Sequence, residues 1–142
     1  MITAILDTNV IVGAAIGSKQ ATAGRVLDAY FDGKYRLAFS PATSDELLHV
    51  LSLPVIRLRH GWSDDDILRF VLSLHVAATI GTGRLVVSPT LTRDVTDTKF
   101  LALTAEISAD FLVTRDRRHL LRLRRFQKTR IVTPGQFLKE LK

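Results

Sequence analysis

Short apolar runs rich in β-type residues alternate along the chain with longer stretches that have the periodicity of helices. The short runs predict strands at Thr3–Leu6, Arg36–Phe39, Arg84–Val87, Phe111–Thr114 and Arg130–Val132. Because parallel strands need crossover connections, this alternation favours a parallel sheet with helices on both faces. The expected fold class is α/β, a three-layer α/β/α sandwich with a central, mainly parallel sheet.

Capping residues predict where several helices begin. Ser40 and Thr133 are N-cap residues followed by proline, and Gln136 completes a capping box with Thr133. Ser63 and Asp66 form a similar start signal. Together with apolar spacing, these signals predict helices at Val10–Ala15, Ala21–Asp32, Pro41–Leu53, Asp64–Thr79 and from Pro134 to Leu141, and a loop over Pro54–Gly61.

Length and composition bound the possible classes of protein. With 142 residues, 46% hydrophobic and 24% charged, the chain is expected to fold as one domain over residues 1–142. It contains no cysteine, which excludes disulfides, thiolate zinc sites and a cysteine nucleophile. The first residues lack a basic leader, and the apolar run Val10–Ile16 is too short to span a bilayer. We therefore expect a cytoplasmic protein with no membrane partner.

The positive charge is concentrated near the carboxyl terminus. The formal net charge is +6, and of 20 lysines and arginines the following lie between positions 115 and 130: Arg115, Arg117, Arg118, Arg122, Arg124, Arg125, Lys128 and Arg130. Such a stretch suits a polyanion such as single-stranded or structured RNA, although a solvated helix face is an equal alternative. The candidate RNA-binding residues are Arg115, Arg117, Arg118, Arg122, Arg124 and Arg125.

Carboxylates follow two of the predicted strands. Asp7 ends the first strand and is followed by Asn9, while Thr114, Arg115 and Asp116 end the fourth. Ligands of open α/β sheets bind outside the carboxyl ends of the parallel strands, where strand order reverses. We therefore expect Asp7 and Asp116 to meet at this edge.

Two predicted helices can add carboxylates to the same edge. Glu46 lies one turn before Val50 at the border of an apolar stripe, whereas Asp45 falls on the polar face. Asp97 opens a helix one turn before Leu101, and Lys99 and Glu106 are expected to face away from it. Glu46 and Asp97 are thus predicted to join the other two acids.

Gathered carboxylates repel one another unless a cation neutralises them. A hard divalent ion is the natural solution, because Mg²⁺ or Mn²⁺ takes oxygen ligands, activates water and stabilises charge on a phosphate. The proposed ligands are Asp7, Glu46, Asp97 and Asp116, which could hold one ion or two. The four histidines, His49, His60, His75 and His119, show no ligand spacing among themselves and are interpreted as surface or core residues.

Five segments in order along the chain together resemble the PIN domain family. They are Ile5 to Val10, Ser40 to Leu51, Arg93 to Leu101, Ser108 to Asp116, and Val132 to Pro134. The similarity is greatest to the branch formed by toxins of type II toxin–antitoxin systems, the VapC-like ribonucleases.

The resemblance implies a metal-dependent endoribonuclease that cleaves single-stranded RNA with a metal-activated water. It carries the catalytic acids onto Asp7, Glu46, Asp97 and Asp116, with Asn9, Asp94 and Thr114 as supporting residues. It also implies a homodimer and an antitoxin protein as partner. Two positions depart from the family pattern, Val95 in place of a common proline and Thr98 in place of a common aspartate.

Other interpretations of the same residues are open. Each acid could instead cap a helix or make a turn. A phosphatase with an aspartyl nucleophile at Asp7 is disfavoured because Asn9 stands where a second aspartate is needed as general acid. A catalytically silent domain that binds RNA or protein is the further alternative, since fold alone does not guarantee activity.

Overall fold

The computed structural model describes residues 1–17, 21–87 and 97–142. In these ranges the strands are β1 (Thr3–Leu6), β2 (Arg36–Phe39), β3 (Thr79–Ile80), β4 (Phe111–Val113), β5 (Arg125–Phe126) and β6 (Thr129–Val132). The helices are α1 (Thr8–Ile16), α2 (Ala21–Phe31), α3 (Pro41–Ser52), α4 (Pro54–His60), α5 (Asp64–His75), α6 (Thr98–Ile107), α7 (Leu120–Leu123) and α8 (Pro134–Glu140). The predicted α/β class is confirmed.

The strands form one sheet in the order β3-β2-β1-β4-β6-β5. All neighbours are parallel except β5, which pairs antiparallel with β6. β1 lies at the centre, because the chain proceeds from it to β2 on one side and later returns to β4 on the other. The switch point of the sheet is therefore between the carboxyl ends of β1 and β4, where Asp7 and Asp116 follow.

Alternation along the strands separates the core into two layers. Leu6 and Val113 belong to a large apolar cluster with residues of α1, α2, α3, α5 and α8. Ile5 and Leu112, which point to the opposite face, belong to a smaller cluster with residues of α6 and α7. Because successive side chains of a strand point to opposite faces, this pattern makes the sheet the middle of three layers.

The predicted capping signals are confirmed. Ser40, Ser63 and Thr133 each accept a hydrogen bond from a backbone N–H three residues on, and the partner side chain returns the bond in each case. The predicted loop at Pro54–Gly61 is wrong, because Pro54 is the first residue of α4 and Gly61 ends it in the left-handed conformation, with φ of 70°. The two residues that suggested a loop are the boundaries of a short helix.

The predicted strand at Arg84–Val87 is also wrong, and the position beside β2 belongs to β3. Helix α5 ends at His75, which leaves Thr79 and Ile80 free to pair with Ala38 and Phe39. After β3 the chain leaves the sheet, and there the Glu106 carboxylate accepts the backbone N–H groups of Thr82 and Gly83. None of the helices within the described ranges has the length and apolar character needed to cross a membrane.

Candidate active site

Asp7 continues β1 by one residue toward the switch point. Its backbone N–H donates to the carbonyl of Val113 at 2.8 Å, so the pairing of β1 with β4 extends to this position. Oδ2 of Asp7 accepts hydrogen bonds from the Thr114 hydroxyl at 2.7 Å and from the Asn9 amide at 3.3 Å. Asp7 is only 6% exposed and Thr114 is fully buried. Two of the three residues predicted as supporting groups, Asn9 and Thr114, therefore contact the Asp7 carboxylate.

The environment of Asp7 raises the pKa of its carboxyl above the value in water. Burial is the main cause and raises the pKa of this carboxyl from 3.8 to about 6. The hydrogen bond from Thr114 opposes the rise, the negative charges of Glu46 and Asp116 add to it, and the Thr8 backbone N–H opposes it again. Carboxylates from α3 and from the turn after β4 thus add to the effect of burial on the pKa of Asp7.

Asp116 is joined to the same network through Thr114. The Asp116 backbone N–H donates to the Thr114 hydroxyl oxygen at 3.0 Å. Oδ1 of Asp116 accepts the backbone N–H groups of Arg118 and His119, which makes the turn that leads into α7. Its other oxygen, Oδ2, lies 3.6 Å from Nδ1 of His119. One carboxylate oxygen of Asp116 is used by the turn, and the other faces the imidazole.

Three potential metal ligands lie close together, namely Asp97, Asp116 and His119. Each offers one potential ligand atom, and these atoms lie within 4.8 Å of one another. Asp97 is 7% exposed and stands at the N-cap of α6, yet its side chain does not cap that helix. Two carboxylate oxygens and an imidazole nitrogen are donors that Mn²⁺ accepts, whereas Mg²⁺ prefers oxygen alone. This donor set fits a divalent ion.

The carboxylates of Asp7, Asp97 and Asp116 lie at the edge of the sheet where β1 and β4 end, here called the acidic edge. Glu46 extends toward this edge from α3. Its Oε1 lies 2.5 Å from Nζ of Lys99, and its Oε2 accepts a hydrogen bond from the Thr8 hydroxyl. The neighbouring Asp45 is exposed, as the apolar stripe of α3 predicts. The expectation that Lys99 faces away is wrong, because its long side chain extends from the first turn of α6 to Glu46.

Of the residues named from sequence, the structure groups Asp7 with Asn9 and Thr114, and Asp97 with Asp116. Asp94 lies outside the described residues. Sequence reasoning did not identify the contacts of Thr8 and Lys99 with Glu46, and it did not place His119 beside Asp97 and Asp116. The available signal for His119 was its position three residues after Asp116 in a turn. Lys99 gave no signal, since its partner is 53 residues away.

Most of the basic residues near the carboxyl terminus surround a groove of about 810 Å³. Its charged lining residues are Arg117, Arg122, Arg124, Arg125 and Arg130. A smaller groove of about 410 Å³ is lined by Arg115 and again by Arg117, and both grooves contact Thr133. These arginines do not follow one helix face, because α7 covers only Leu120–Leu123 and the chain then turns into β5. The two cavities give the positive charge a concave surface next to the end of β4.

A family model described as the PIN domain matches residues 3–118 of the chain. The matched region begins with β1 and includes Asp7, Glu46, Asp97 and Asp116. No curated protein matches the chain significantly. The family match thus covers most of the sequence and all the acids of the site.

Proposed function

Because the chain belongs to the PIN domain family, we propose that it is a divalent-metal-dependent endoribonuclease that cleaves single-stranded RNA. Members of this family are generally nucleases. The observation that carries the proposal is the convergence of Asp97, Asp116 and His119 beside the buried Asp7 at the switch point of the sheet. A binding domain has no need for carboxylates here, since they repel the phosphates of RNA.

Asp97, Asp116 and His119 would hold the ion, with Asp7 beside them. When bound, a divalent ion supplies positive charge to a phosphodiester and makes a water molecule more acidic. Thr114 holds Asp7 in place, and the turn from Asp116 to His119 holds the remaining Asp116 oxygen toward the imidazole. Ligands with few accessible rotamers lose little entropy on binding, which favours a defined position of the ion.

The arginine-lined grooves would bind the RNA backbone on the side of the site formed by β4, β5 and β6. Guanidinium groups suit phosphates because they donate parallel hydrogen bonds. Arg117 lines both grooves and comes directly after Asp116 in the chain. An RNA strand that occupies the grooves would therefore pass next to Asp116 and the other acids of the site.

The experiment compares cleavage of single-stranded, structured and double-stranded RNA by the parent protein with Mg²⁺, Mn²⁺ or EDTA. We expect metal-dependent cleavage of single-stranded RNA. Glu46→Gln should reduce the rate, whereas Asp45→Asn, the adjacent exposed acid on α3, should retain it. Cleavage that persists in EDTA, or equal loss in both variants, would contradict the assignment.

We extend the proposal to the toxin of a toxin–antitoxin pair that forms a homodimer, on the basis of the resemblance and of exposed apolar residues. On α5, Leu68 is 49% exposed and Leu72 is 55% exposed, and residues four apart are neighbours on one face of a helix. Large exposed apolar side chains that lie close together often mark protein contacts. Light scattering should give a dimer, and co-expression with the product of a small adjacent gene should abolish RNA cleavage. A monomer would contradict the proposed homodimer, and unchanged cleavage on co-expression would contradict the proposed antitoxin.

A further inference from the structure

The ion pair between Lys99 and Glu46 places a positive charge inside the acidic edge. Nζ and Oε1 are 2.5 Å apart, and the two side chains are only 23% and 22% exposed. The second oxygen of Glu46 accepts the Thr8 hydroxyl. Both oxygens of this carboxylate are thus engaged by groups of the protein.

The side chain of Lys99 is mostly shielded from solvent and lies beside apolar residues. It lines a groove of about 200 Å³ together with Ala42, Ala102 and Leu103, and its Nζ lies 6.0 Å from the centre of the Phe100 ring. A lysine whose carbon chain packs on apolar atoms presents its ammonium group in a restricted direction. Removing one partner of such a mostly buried pair leaves a charge without compensation, which is unfavourable.

The other side of the acidic edge is organised differently. Asp7 accepts hydrogen bonds from the neutral side chains of Thr114 and Asn9. Asp116 accepts backbone N–H groups and faces His119. Within the part of the chain that the structure describes, the hydrogen-bond and ion-pair partners of Asp7 and Asp116 named above include no lysine or arginine side chain. An ion at Glu46, by contrast, must displace the ammonium group of Lys99.

We propose that Lys99 is a positioning residue that acts as the resident cation of the site. It holds Glu46 in place and occupies the position where a second divalent ion would bind, so that each chain takes one ion, at Asp97, Asp116 and His119. Glu46 is then not a metal ligand. This inference rests on the proposed function, because it assumes that the acidic edge binds a divalent ion.

The test is a titration of the metal-free protein with Mn²⁺ in the absence of RNA. Binding is measured by calorimetry and by the electron paramagnetic resonance signal of the Mn²⁺ that stays free. The parent should bind one ion per chain, and Lys99→Met should bind two, because Glu46 becomes available as a ligand. Lys99→Arg, which keeps the charge, and the exposed control Lys128→Met should each bind one. Two ions in the parent, or one ion in Lys99→Met, would overturn the proposal.

A second comparison uses the acids themselves. Glu46→Gln should keep the Mn²⁺ affinity within about threefold, while Asp116→Asn should weaken it by about tenfold or more, since of these two acids only Asp116 is a proposed ligand. Equal weakening in the two variants would overturn the role of Lys99. If Lys99→Met does not fold, Lys99→Gln gives the same neutral charge with a polar side chain. A parent that binds no Mn²⁺ would contradict the proposed function itself, whereas a parent that binds two ions contradicts only this inference.

Discussion

The hydroxyl of Thr114 donates a 2.7 Å hydrogen bond to Oδ2 of Asp7, a residue 107 positions away in the chain. The same hydroxyl oxygen accepts the backbone N–H of Asp116. Thr114 thereby connects the acid after β1 to the acid after β4, and it is fully buried. Hydrogen bonds within the protein therefore hold the two strand ends together.

Asp7→Asn tests the catalytic assignment, because asparagine keeps the shape of the side chain and removes its charge. We expect RNA cleavage to fall by at least about a hundredfold, which corresponds to about 2.7 kcal/mol of transition-state stabilisation. Circular dichroism and thermal melting should show that the variant is folded. A folded variant as active as its parent would refute a catalytic role for Asp7.

The raised pKa of Asp7 predicts how stability depends on pH in the metal-free protein. The folded state binds the Asp7 proton more tightly than the unfolded chain, so this group lowers the free energy of unfolding as pH rises from 3.8 to about 6. The full effect is about 3 kcal/mol from that shift in pKa, and it persists at higher pH. Denaturant titrations in EDTA at pH 4 and pH 7 should therefore show that Asp7→Asn gains stability over the parent only at the higher pH. Asp45→Asn, which alters an exposed acid, is the control, and an equal gain at both pH values would contradict the prediction.

His119→Gln tests whether the imidazole is a ligand. Nitrogen donors favour first-row transition ions over Mg²⁺, so we expect Mn²⁺ affinity to fall by about tenfold and Mg²⁺ affinity to change much less. Calorimetry with each ion gives the ratio of the two affinities, and His49→Gln, on the exposed face of α3, serves as the control. An unchanged ratio would remove His119 from the metal site.

Arg117→Gln combined with Arg122→Gln tests the larger groove. Each lost phosphate contact should reduce the slope of log affinity against log salt by about 0.7 for a single strand, so the double variant should lose about 1.4. Fluorescence anisotropy with labelled RNA across a salt series measures this slope. The pair Arg59→Gln and Arg69→Gln removes the same charge from exposed positions on α4 and α5. Equal slopes for the two double variants would mean that the grooves are not the RNA-binding surface.

The sequence predicted the centre of the fold better than its edges. The strands Thr3–Leu6 and Arg36–Phe39 have the predicted bounds. Most of their residues are buried on both faces of the sheet, so each strand is a continuous apolar run that is easy to recognise in the sequence. Arg84–Val87 has similar composition but is not a strand, and Val86 is 86% exposed. Which of two nearby apolar segments pairs with β2 depends on where α5 ends and on the hydrogen bonds of Glu106, and these are tertiary features.

The sequence by itself determined that Asp7 and Asp116 each follow a predicted strand of a mainly parallel sheet, and parallel strands end at one edge. That β1 and β4 are neighbours, so that the two acids lie together, was decided by the tertiary structure. The sequence also determined that Glu46, rather than Asp45, turns inward, because the apolar stripe of α3 sets the direction of each side chain. Only the tertiary structure decided that Lys99 contacts Glu46 and that His119 joins Asp97 and Asp116. These partners are side chains whose direction depends on the packing of α3 and α6 and on the turn after β4, and no local periodicity encodes those distances.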